Sequence, residues 1–112
     1  MKNDSLIKMG FAENLVPLVK CGEKTLTYRL GDKYKDLDAG DIIETKDSST
    51  DKVFAKLLII SKEVAIFKDL SIDRQGHEKY SSKEDQRISF EKYYPNKIED
   101  DSKIIILEFK VI

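Results

Sequence analysis

The chain lacks what several classes of protein require. With 1 cysteine, Cys21, it cannot close an internal disulfide. That fits a reducing, cytoplasmic setting. A single histidine accompanies that cysteine, so a zinc site of the usual Cys/His kind cannot be assembled within one chain. No apolar run approaches the roughly 18 residues of a membrane span. Met1 to Gly10 holds no apolar core long enough for a secretory signal. The expectation is a cytoplasmic protein without membrane association. Neither sign of charge dominates: 20 basic residues meet 21 acidic ones, for a net charge of −1 and a pI near 5.9. General polyanion binders carry a net basic face, so that class is disfavoured and no DNA-specific signal is present. A small local basic patch is still allowed. There is no repeat and no low-complexity segment.

What is there suits one domain. The length is 112 residues, with 40% hydrophobic and 37% charged, enough for one modest core under a well-solvated surface. Residues 1–10 carry no pattern that fixes their order. Phe11, Leu15, Leu18 and Val19 fall at one-face helical spacing. The helix is read from Glu13 or Asn14 to Cys21, with Pro17 tolerated only in its first turn. Gly22 ends it, and Cys21 is expected to be a buried apolar residue. Thr25–Leu30 reads as a strand, and Ala39-Gly40-Asp41 as a turn into a second strand, Ile42–Thr45. Val53–Phe67 reads as one long strand, or two with a bend near Ser61–Glu63. Ser82 with Asp85 three residues on resembles a capping box. The helix it opens runs to Tyr93 or Tyr94 and stops before Pro95. Lys103–Ile112 is the clearest strand. The sum is an α+β domain of about five or six strands and two or three helices, in a curled sheet or barrel.

The densest chemistry lies in Gly22-Glu23-Lys24-Thr25-Leu26-Thr27-Tyr28-Arg29. A threonine hydroxyl is a weak nucleophile unless a neighbour takes its proton. A lysine can do so only when burial or a nearby cation lowers its pKa. Side chains alternate along a strand, so Lys24 must precede the regular strand to reach Thr27. By spacing alone Lys24 is a solvated turn residue and Thr25 and Thr27 are ordinary strand formers. Arg29 can fork onto an oxyanion, and a salt bridge to Asp32 or Asp41 is its simpler use. Gly76-His77-Glu78-Lys79-Tyr80 precedes the second helix. Glu78 there is a candidate acid or base, and Tyr80 a candidate stacking residue. His77 reads as a loop residue, and Phe90, Tyr93 and Tyr94 as core.

The run Gly22-x-Lys24-Thr25-x-Thr27-x-Arg29, followed by Ala39-Gly40-Asp41, resembles the ASCH domain of the PUA-like superfamily. The Glu78 region, Tyr94-Pro95 and Ile106-Leu107-Glu108-Phe109 match in the same order, so the resemblance spans residues 11–112. It implies a mixed β-barrel with flanking helices and a cleft beside the first motif. It also implies an RNA-related role. Some small bacterial members are amidohydrolases that remove the acetyl group of N4-acetylcytidine with a lysine, a threonine and a glutamate. Carried over, these are Lys24, Thr27 and Glu78, with Glu84 the alternative for the third. Arg29, Tyr28 and Tyr80 would then contact substrate, and no metal or other cofactor is expected. The other reading is a non-catalytic RNA-binding module, with Lys24, Arg29 and Lys33 near phosphates and Tyr28, Tyr34 or Tyr80 stacking on bases. The expected partner is a nucleoside or RNA, and the expected state a monomer or weak homodimer.

Overall fold

The structure, a computed structural model, describes residues 7–95 and 97–112. Five strands form one curled sheet: β1 (Lys8–Phe11), β2 (Leu26–Leu30), β3 (Ile42–Asp47), β4 (Lys52–Ile66) and β5 (Lys103–Val111). Their order is β1-β3-β4-β5-β2. All neighbours are antiparallel except β1, which runs parallel to β3. Two helices, α1 (Val16–Lys20) and α2 (Lys83–Tyr93), flank the sheet. The architecture is the α+β curled sheet with flanking helices that the sequence predicts, closed only halfway into a barrel.

β5 explains why one sheet carries two cores. Ile104, Ile105, Ile106 and Leu107 are all buried, so this half of the strand has no solvent face, while Glu108 and Lys110 beyond it are exposed. Ile105, Leu107 and Phe109 join Met9, Phe11, Ile43 and Leu57 inside the curl. Ile104 and Ile106 point the other way, to Leu26, Tyr28, Phe67 and Phe90 beneath α2. A continuous apolar run is the mark of a strand covered on both sides.

Local chemistry sets the boundaries. The Ser82 hydroxyl accepts from the Asp85 backbone N–H at 3.0 Å and starts α2. Pro17 lies in the first turn of α1, where its missing N–H costs nothing. Gly22 follows at φ 83°, a conformation that favours glycine, and turns the chain toward β2. β4 is one strand of 15 residues. Its register against β5 shifts between Ile59 and Ser61, leaving Ile60 as the extra, exposed residue of a bulge.

Three expectations need correction. Phe11 belongs to β1, not to the helix, and packs its ring in the inner core. Residues 8–10 carry no sequence pattern because two inward side chains, Met9 and Phe11, make a weak signal and the parallel partner lies far along the chain. Cys21 is exposed: it caps α1 on the side away from the core, and only Val19 of that helix is fully buried. Residues 1–6 and Asn96 lie outside the described residues.

Candidate functional site

The opening of the half-barrel lies between its two edge strands, β1 and β2. Arg29 on β2 spans it. Its Nη2 donates to the Gly10 carbonyl of β1 at 2.8 Å, and its Nε donates to the Thr27 hydroxyl oxygen at 3.0 Å. Its guanidinium carbon lies 4.8 Å from the centre of the Phe11 ring and 5.7 Å from that of Tyr34. Neither Asp32 nor Asp41 pairs with it, contrary to the simpler expectation: Asp32 pairs with Lys103 at 2.5 Å, and Asp41 accepts from the Asp38 backbone. Both acids are on the exposed rim, while Arg29 turns inward.

Beside this bridge is a cavity of about 430 Å³, within the size range of small-molecule sites. Lys24, Thr27, Tyr28, Arg29, Glu78 and Tyr80 all line it. Lys24 precedes β2, in the turn that Gly22 opens. It is 4% exposed, not the solvated turn residue that spacing alone suggests. Its Nζ donates to Glu78 Oε2 at 2.5 Å and to the Leu26 carbonyl at 2.8 Å. Burial lowers the Lys24 pKa, against the opposing pull of Glu78. Burial is the largest influence on Glu78 and opposes its ionisation, but the Lys24 charge, His77 and the hydrogen bonds to the carboxyl together outweigh it and hold it below its ordinary range. The contact joins a buried lysine nitrogen to a half-buried carboxylate in a short ion pair.

Thr27 is 4% exposed. Its oxygen accepts from Arg29 rather than from Lys24, so among the described residues Lys24 and Thr27 share a cavity without a direct hydrogen bond. Glu84 is exposed on the first turn of α2 and is not part of the cavity wall. Tyr80 is half-buried, and burial followed by the nearby Glu78 charge pushes its hydroxyl up to about 12. Tyr28 is buried, and His77 stacks on its ring with centroids 4.1 Å apart and planes at 16°. Tyr34 is buried in the inner core, and neither it nor the exposed Lys33 lines the cavity. Tyr34, being buried, therefore leaves the set of candidate stacking residues.

The loop bearing His77 and Glu78 is fixed to β2 by Gly76, whose carbonyl accepts from the backbone N–H groups of Thr25 and Leu26 at 2.9 and 3.1 Å. Gly76 has φ 89°, and a Cβ there would collide with the Thr25 hydroxyl. Two residues with a role in the wall escaped the sequence reading. The sequence reads His77 as a loop residue, although its place next to Glu78 is a usable signal. Tyr93 was assigned to the core, yet it is exposed at the cavity rim.

No protein-family model matches the sequence, and no curated protein matches it. Solved structures do. Protein EF3133 from Enterococcus faecalis, of family DUF984, superposes with a TM-score of 0.77 at 19% identity, covering 100% of this chain and 83% of its own. The ASCH domain from Lactobacillus crispatus gives 0.69 at 18% identity, covering 96% and 79%. The hypothetical protein PH0355 gives 0.71 at 22% identity, covering 94% and 97%.

Proposed function

We propose that this chain, which has the fold of an ASCH domain, is an amidohydrolase that removes an acyl group from the exocyclic nitrogen of a cytidine nucleoside. The observation that carries the reading is the short Lys24–Glu78 contact in the same cavity wall as Thr27.

The chemistry needs a base and an acid together. Moving the shared proton from Lys24 to Glu78 makes both at once, a neutral amine and a neutral carboxyl. Burial reduces the cost of that step, because it disfavours the charged form of each partner. The Thr27 oxygen attacks the acyl carbonyl carbon, and its proton passes to Lys24. The Arg29 Nε–H, already on that oxygen, holds it in place and offsets the charge it develops. The carbon–nitrogen bond breaks as Glu78 gives its proton to the leaving nitrogen. Lys24 is left as an ammonium and Glu78 as a carboxylate, which is the resting pair. Water then cleaves the acyl-Thr27 ester by the same proton shuttle and releases the acid. A cytosine amine is a tolerable leaving group because the ring delocalises its electrons.

The cavity's aromatic wall favours a second reading. Tyr28, His77 and Tyr80 line the pocket beside Thr27, and an unpaired base of RNA could enter it without reacting. Such binding would rest on few phosphate contacts, because the net charge is −1.

The test is incubation of the purified protein with N4-acetylcytidine, with cytidine and acetate measured in the presence of a chelator. Release of both is expected. Glu78→Gln should slow it by roughly 10²–10⁴-fold, while Glu84→Gln should not. The reverse order of the two would reassign the acid. RNA binding that depends only weakly on salt, with no release, would favour the second reading.

A further inference from the structure

The chain's one histidine lies in this cavity, and the reaction above does not use it. The His77 side chain is 6% exposed. Its ring is held flat against Tyr28, and Nδ1 lies 3.0 Å from the Glu78 backbone carbonyl. A carbonyl oxygen only accepts, so Nδ1 carries the ring hydrogen and Nε2 is an acceptor. Burial and then the Lys24 charge lower the His77 pKa to about 4, so the ring stays neutral near pH 7. Among the described residues Nε2 bonds to no protein group. No buried side-chain nitrogen or oxygen there lacks a partner, so Nε2 opens to the cavity.

Lys24 and Arg29 are donors, and Glu78 Oε2 is taken by Lys24. His77 therefore offers a free acceptor in a fixed plane. The ring borders the carboxylate assigned above to the leaving amine, with its Nδ1 3.9 Å from Glu78 Oε2. The remaining ring-edge atoms of cytosine, N3 and O2, are acceptors and would repel Nε2. The acyl amide N–H is the donor that fits.

We propose that His77 is a specificity-determining residue whose Nε2 accepts a hydrogen bond from the N–H of the ligand's exocyclic nitrogen, so that the site takes secondary amides and rejects fully substituted ones. The proposal rests on the amidohydrolase reading for its choice of ligand, and it can be tested without turnover.

Because the histidine is single, its two imidazole ¹⁵N resonances need no assignment by mutation. The free protein should show Nδ1 protonated and Nε2 bare. Cytidine, which keeps hydrogens on that nitrogen, should move the Nε2 resonance. N4,N4-dimethylcytidine should leave it in place and bind about tenfold more weakly, the loss expected for one hydrogen bond of about 1.4 kcal/mol. His77→Phe keeps a ring on Tyr28 but removes the acceptor, and should bind the two nucleosides alike. An Nε2 resonance that cytidine does not move, or equal binding of both nucleosides by the wild type, overturns the proposal. If His77→Phe does not fold, the two wild-type nucleoside titrations decide the matter. Intact discrimination with no hydrolysis of N4-acetylcytidine would instead overturn the catalytic reading while supporting the acceptor role of His77.

Discussion

Glu78→Gln should expose how far Lys24 depends on its partner. The substitution keeps the shape of the side chain and removes the charge that faces a 4%-exposed ammonium. Leaving one member of a buried ion pair costs about 3–5 kcal/mol. Lys24 has an escape, which is to fold without its proton. At pH 7 that lies about 3.4 units below an ordinary lysine pKa of about 10.4, at about 1.36 kcal/mol each. The cost of the substitution is therefore capped near 4.6 kcal/mol at pH 7. The part of Glu78 that reaches solvent, 32% of its side chain, pulls the value below that cap. The pH dependence follows from which state holds the proton. In the variant the folded state lacks a proton on Lys24 that the unfolded chain still binds, so stability rises with pH. Urea unfolding of wild type and variant at matched pH values from 7 to 10 should show a deficit that shrinks by up to about 1.4 kcal/mol per unit. A deficit that stays constant over this range would mean that Lys24 keeps its charge without Glu78, and would refute the reasoning. Adding Lys24→Met to the variant should recover stability, because no uncompensated charge is left.

The remaining predictions follow the same contacts. His77 titrates near 4 when folded and near 6.5 when unfolded. The unfolded chain binds the extra proton between those values, so wild-type stability should fall as pH drops from about 6.5 to about 4, by up to about 3 kcal/mol. His77→Phe should flatten that part of the curve in thermal unfolding, and an unchanged curve would count against a neutral, buried ring. Gly76→Ala places a side chain at φ 89° against Thr25, and should cost at least about 1–2 kcal/mol in urea unfolding. A neutral result would show that the loop carrying His77 and Glu78 is not held to β2 as described. Lys24→Ala combined with Thr27→Ala should be no slower than either alone on N4-acetylcytidine, since members of one catalytic unit are not additive. Multiplicative losses would argue that the two act separately.

The sequence made the sheet more legible than the site. The apolar run Ile104–Leu107 announces a strand covered on both faces, and Ser82 with Asp85 announces the start of α2. These signals are local. β1 was missed because its identity depends on a parallel pairing with β3, more than 30 residues away, for example Met9 with Thr45. Phe11 fitted a helical spacing equally well, and only the three-dimensional closure of the sheet tells the two apart. Lys24 was hardest of all. A lysine in a turn reads as solvated, and what permits its burial is a carboxylate 54 residues further on. Nothing in spacing reveals that pairing; the family pattern pointed to both residues without showing their contact. Arg29 illustrates the opposite failure. Nearby acids suggested a surface pair, yet its partners are a backbone carbonyl and a threonine hydroxyl, groups that composition cannot flag.

The central claim is that the Thr27 oxygen becomes acylated. The most direct measurement is kcat/KM for cytidine release from N4-acetylcytidine by wild type, Thr27→Ser and Thr27→Ala, each first shown to unfold at a similar temperature. The account predicts no release above background by Thr27→Ala and partial activity in Thr27→Ser, which keeps the oxygen. Equal release by wild type and Thr27→Ala would contradict it.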